Sequence, residues 1–158
     1  MIKLNAQTVN TFVESSINVF SQFSLDTDQP LSLGNVYMEK LKLSQYEVEI
    51  YSLLSGDYEG RVLLGMSVDS AIEIAERMTG AAVDTFDEDA QSALSELMNL
   101  ILGSALHELE KNKKNVKMSP VKLKYGGSEP IGTLQCPYPV TVPIYTQVGN
   151  MELDIAFY

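Results

Sequence analysis

The chain has 158 residues, 45% hydrophobic and 20% charged, enough apolar material for the core of one globular domain and too much for a disordered chain. Its 21 acidic residues against 11 basic ones leave a formal net charge of −10, the wrong sign for a nucleic-acid backbone or an anionic membrane surface. The single cysteine, Cys136, excludes an internal disulfide, and no apolar run approaches the roughly 18 residues of a spanning helix. Residues 1–7 lack the basic-then-apolar order of a secretory signal, so a cytoplasmic location is expected.

Over about 5–23, Val9, Phe12, Val13, Ile17, Val19, Phe20 and Phe23 recur near i, i+3, i+4 spacing, which predicts a helix. The segment Asp26 to Pro30 breaks it, and 31–43 reads as strand territory with the alternation Leu41-Lys42-Leu43. From 47 to 54, Val48, Ile50 and Ser52 fall on one face and Glu47, Glu49 and Tyr51 on the other. A turn over 55–60 returns the chain into a strand at 61–67, making a hairpin.

Ser67 is placed to cap a second helix at about 68–80, which Gly80 stops. A linker with Asp84 and Asp87 leads into a third helix over about 88–112. Its acidic start and its Lys111, Lys113 and Lys114 end both suit the helix dipole. Strands are predicted at 116–125, 140–147 and 151–158, with Gly149-Asn150 as a hairpin turn and 126–139 as loop. The expectation is one α+β domain over 1–158. It has a largely antiparallel sheet of about six strands with long helices packed on one face. Its helix–three-strand halves, about 5–67 and 87–158, look like a degenerate duplication joined by the helix at 68–80.

The third helix carries the most specific signal. At about 100° per residue, Ser92, Ser95, Glu96, Asn99 and Gly103 share one arc, while Ala93, Leu94, Leu97, Met98, Ile101 and Ala105 lie opposite. A carboxylate and a carboxamide at i and i+3 thus stand side by side on a narrow polar stripe. The bland alternative is a solvated helix face. Ser92 is either a rim contact or simply exposed. Gly103, which costs about 1 kcal/mol relative to Ala inside a helix, is either a packing accommodation or clearance for a partner.

Ser92, Glu96 and Asn99 resemble the signature of the CheC, CheX and FliY chemotaxis phosphatases: Asp or Ser, three residues, Glu, two residues, Asn, and a proline further along. Pro120 is the candidate for that proline; on residue chemistry alone it begins or bends an edge strand. One copy of the motif places the chain nearest CheX. The first helix carries Glu14 and Asn18 at i and i+4 instead, which reads as a vestigial or absent second site.

The resemblance implies a phosphatase acting on the aspartyl phosphate of a CheY-like response regulator, ending a chemotaxis or two-component signal. It also implies a homodimer. Phosphoryl transfer is mostly positioning and electrostatics. A neutral carboxamide such as Asn99 can orient the attacking water without adding charge beside the phosphoryl group. Glu96 would instead anchor a cation of the regulator, with Ser92 and Gly103 as further partner contacts. No cofactor is expected in this chain, and Mg²⁺ is expected in the regulator's own acidic pocket. The alternative is a non-catalytic module that binds phosphorylated receivers, as in flagellar switch components. The lone histidine, His107, reads as a surface residue, and Cys136 before Pro137 as no nucleophile.

Overall fold

The computed structural model describes residues 6–38, 46–126 and 139–157. Within them the order is α1 (Ala6–Gln22), β1 (Ser32–Leu33), β2 (Tyr37–Met38), β3 (Val48–Gly56), β4 (Gly60–Met66), α2 (Val68–Thr79), α3 (Glu88–Lys111), β5 (Val116–Met118), β6 (Lys122–Tyr125), β7 (Val140–Thr146) and β8 (Gly149–Phe157). Residues 39–43 of the expected strand at 31–43, and Cys136, lie outside the described residues.

Local chemistry sets the helix boundaries. The Ser67 hydroxyl accepts the Ser70 N–H at 3.2 Å and opens α2. Gly80, at φ 73°, closes α2, its N–H donating to the Glu76 carbonyl at 2.8 Å. A carboxylate oxygen of Asp87 accepts the Ala90 N–H at 2.9 Å and opens α3, with Glu88 and Asp89 in its first turn.

The strands form one antiparallel sheet in the order β1-β7-β8-β4-β3-β5, with β2 also on β7 and β6 also on β3. There are eight strands among the described residues rather than about six, because each expected edge strand is split in two. The order has an internal symmetry. The split edge of the first half (β1, β2) lies on β7 of the second, and the split edge of the second half (β5, β6) lies on β3 of the first. β4 and β8 meet at the centre.

One sheet face and the helices share a single core. Val48, Ile50, Val62, Leu64, Val142, Leu153 and Ile155 meet Phe12, Phe20, Ile74, Leu94, Leu97, Met98 and Ile101 there. The second face is buried in part, with Leu53 and Tyr145 left exposed on it. Glu49, which strand alternation places outward, is buried, as are Arg61, Thr141 and Asp154 on the same side. The Tyr46 ring lies over Gly65, where a Cβ would come within 2.6 Å of it. Burial, together with its hydrogen bond to Glu152, holds the Tyr46 phenol above its ordinary value.

Two turns differ from the sequence pattern. The β7–β8 hairpin turns at Gln147-Val148, not at Gly149-Asn150: Thr146 pairs with Gly149, which already belongs to β8. Gly149 is required for another reason. Its φ is 127°, and a Cβ there would collide with the Ser70 hydroxyl, which donates to the Val148 carbonyl at 2.7 Å.

The second difference is on the edge beside β3. Leu54 pairs with Met118 and Tyr51 with Lys122. β3 therefore advances three positions (54 to 51) while the edge advances four (118 to 122), which is a β-bulge. Ser119 anchors it: its N–H donates to the Leu53 carbonyl and its hydroxyl accepts the Leu53 N–H, both at 2.9 Å. The buried Ser52 hydroxyl donates to the Ser119 carbonyl at 2.8 Å. Pro120, with no N–H to leave unpaired, follows in the bulge, so it bends an edge strand as its chemistry suggests.

Candidate functional site

α3 is the platform. Its buried side carries Ala90, Leu94, Leu97, Met98, Ile101, Leu102, Ala105 and Leu109, so the helix is fixed by packing over nearly its whole length. The opposite stripe exposes Ser92, Glu96, Asn99 and Gly103, with Ser95 half-buried. Neighbours three residues apart on a helix have Cβ atoms about 5–6 Å apart, which places the Glu96 carboxylate and the Asn99 carboxamide within one small site.

Glu88, Gln91, Ser92, Ser95, Glu96 and Asn99 line an open groove of about 420 Å³. Its opposite wall is Leu123 of β6. Two contacts hold the chain before α3 to the helix and to the end of β6. The Gln91 carboxamide donates to the Phe86 carbonyl at 3.0 Å, and the Phe86 ring meets Tyr125 edge to face, centroids 5.0 Å apart. Among the described residues, no side-chain hydrogen bond or ion pair engages Glu96 or Asn99. A carboxylate and an amide on a rigid helix are thus held without internal partners, open to an approaching molecule. The groove is open and lined mainly by polar residues, unlike an enclosed apolar pocket for a small molecule.

The structure therefore brings Ser92, Glu96 and Asn99 together in one groove. Gly103 lies a turn beyond Asn99, exposed and outside the lining residues. A Cβ at Gly103 would meet nothing within 4 Å, so no packing demand among the described residues explains the glycine. Gly103→Ala is expected to stabilise α3 by about 0.5–1 kcal/mol, raising Tm by about 1–4 °C in a calorimetric or dichroism melt. Glu14, Asn18 and His107 are exposed. Glu88, Gln91 and Leu123 were not singled out by the helix arc and motif. The available signal for Leu123 is the phase break in the apolar alternation, Val116 and Met118 followed by Val121 and Leu123, with Pro120 at the break.

Among the described residues, no group of His, Cys, Asp or Glu gathers as a metal would require. No helix among them is long and apolar enough to cross a membrane.

The fold belongs to the class of CheC-like α+β proteins. The chain superposes on a CheC-like superfamily protein from Shewanella sp. PV-4 with a TM-score of 0.84 at 20% identity, covering 98% of this chain and 99% of that one. It superposes on the chemotaxis protein CheX from Desulfovibrio desulfuricans with a TM-score of 0.83 at 19% identity, covering 96% and 99%. A CheX–CheY–BeF₃–Mg²⁺ complex from Borrelia burgdorferi matches with a TM-score of 0.71 at 20% identity, covering 94% and 96%. At these identities the likenesses establish the fold. The sequence family described as chemotaxis phosphatase CheX matches residues 52–144, more than half of the chain, and the chain belongs to that family. No curated protein sequence matches it.

Proposed function

We propose that this protein hydrolyses the aspartyl phosphate of a phosphorylated CheY-like response regulator. The observation that carries the reading is the Glu96/Asn99 pair, exposed and without partners among the described residues, on a helix otherwise fixed by burial. Membership of the CheX family supports the activity. The Borrelia complex, in which a CheX is held with CheY, supports the partner class.

In this reading Asn99 accepts from and donates to the attacking water, aligning it with the bond to the leaving aspartyl oxygen. Water adds its oxygen to phosphorus, the P–O bond to the aspartyl oxygen breaks, and inorganic phosphate and the free carboxylate are released. The amide is neutral, so it brings no repulsion against the phosphoryl oxygens. Glu96 takes a cation of the receiver and fixes the register of docking. Ser92 contacts the receiver at the rim, and exposed Gly103 leaves clearance one turn beyond. Mg²⁺ is supplied by the receiver's acidic pocket, and the protein acts in the cytoplasm as a homodimer.

The test is the decay of a phosphorylated CheY-like receiver in Mg²⁺, with and without this protein. Accelerated release of phosphate supports the reading. Binding without acceleration replaces it with a receiver-binding module that leaves the phosphoryl group in place.

A further inference from the structure

The far wall of the groove carries an assignment of its own, which rests on the receiver-phosphatase reading. We propose that Leu123 is an apolar contact for the receiver beside the Glu96 anchor, kept on the groove side by the bulge at Ser119-Pro120.

Among the described residues, Leu123 is the one groove-lining residue that does not come from α3, and the one apolar residue among them. It is half-buried, so part of its side chain packs on the core and part faces the open groove. Its position depends on strand phase. Val116 and Met118 of β5 pair with Gly56 and Leu54 and point toward the helices. Unbroken alternation from there would bring residues 120, 122 and 124 to that side: a proline and two lysines. The bulge absorbs one residue and reverses the phase. Val121 and Leu123 then pack toward the core, with Leu123 opposite Ile50. Lys122 and Lys124 lie opposite Tyr51 and Glu49, on the second face.

The consequence is electrostatic. A lysine on the groove wall would stand in the same groove as the Glu96 carboxylate, a cation within the chain for it to pair with. The carboxylate would then be occupied before a partner's cation arrived. The bulge excludes that internal pair and supplies an apolar surface in its place. An apolar contact beside a charged pair expels water on docking and strengthens the pair, the usual arrangement at the centre of an interface. Edge-strand protection accounts for lysines on β6. It does not account for a half-exposed leucine between them facing the groove. The partner surface that fits is a cation flanked by an apolar side chain.

The test measures steady-state dephosphorylation of the receiver by the wild type, Leu123→Ala, Leu123→Thr, Leu123→Met and Leu123→Lys. Receiver Kd is measured in parallel in an Asn99→Ala background, where turnover is removed, and the melting temperature of each variant is recorded. Leu123→Ala and the strand-favouring Leu123→Thr are expected to raise KM and Kd about tenfold with kcat within about twofold of wild type. Leu123→Met is expected to restore wild-type values. Leu123→Lys is expected to weaken binding more than Leu123→Ala, with the excess shrinking as salt rises. Unchanged KM and Kd in a folded truncation overturn the assignment, as does a fall in kcat alone, which would make Leu123 a support for the helix. Wild type that dephosphorylates while indifferent to Leu123 overturns this inference alone. Wild type that neither binds nor dephosphorylates the receiver overturns the phosphatase reading and this inference with it.

Discussion

Asn99→Ala is expected to lower the turnover of receiver dephosphorylation by a factor on the order of 10²–10³ while leaving receiver Kd within about twofold. On the proposed mechanism the amide acts on the water, which is engaged productively only as the phosphoryl group leaves. Loss of such an interaction appears in kcat and kcat/KM alike. The side chain is exposed and makes no hydrogen bond among the described residues, so its removal should leave melting unchanged within about 0.5 kcal/mol. Asn99→Asp keeps the shape and adds a negative charge beside the phosphoryl oxygens, and is expected to be no better than alanine. Single-turnover decay with titration of the receiver separates the two parameters. Retained acceleration in Asn99→Ala would remove the amide from the chemistry.

Glu96→Lys is expected to act on the other parameter. If Glu96 meets a cation of the receiver, reversal replaces an attraction with a like-charge juxtaposition worth several kcal/mol. Receiver Kd should then rise on the order of 10²- to 10³-fold. Glu96→Gln, which removes the charge and keeps the size, should fall between the two. Wild-type binding should weaken with ionic strength more steeply than binding by Glu96→Gln, because an exposed pair is screened over a Debye length of about 8–10 Å. Isothermal titration at two salt concentrations reads this directly. Binding indifferent to Glu96→Lys would place the anchor elsewhere in the groove. Together the two substitutions are expected to dissect the pair, Asn99→Ala slowing the loss of phosphate and Glu96→Lys loosening the hold on the receiver.

The helices were legible because their evidence is local. The i, i+3, i+4 recurrence of Phe12, Val13 and Phe20, and the apolar arc of Leu94, Leu97, Met98 and Ile101, reflect one period and one buried side each. The polar stripe with Glu96 and Asn99 followed from the same arithmetic, and the motif then gave it meaning. What stayed hidden depends on residues far apart in the chain. Gly149 reads as a turn glycine. It is there because Ser70 of α2 closes on it, so the turn itself falls at Gln147-Val148. Glu49 alternates as a solvent residue, yet it is buried, on the side where the Tyr46 ring lies over its cross-strand partner Gly65. The groove wall was missed because one strand was read across 116–125. Val121 and Leu123 are out of phase with Val116 and Met118, and only pairing to β3 shows how the extra residue is absorbed.

The exchanged edges of the sheet bear on how the chain reaches this structure. β4 has β3 beside it early, but its other neighbour is β8, with Gly60 opposite Phe157 and Gly65 opposite Glu152. β7 in turn receives β1 from far upstream, Ser32 lying opposite Tyr145. Neither half can complete its own sheet. An intermediate with only the first half assembled would leave one side of β4 open, with the apolar Val62 and Leu64 beside unpaired amides and carbonyls. Such an edge invites pairing with another chain. Contacts of this sequence separation also close slowly, since loop entropy is spent before the pairing repays it. Refolding is therefore expected to be slow for a chain of this length and to lose yield as protein concentration rises.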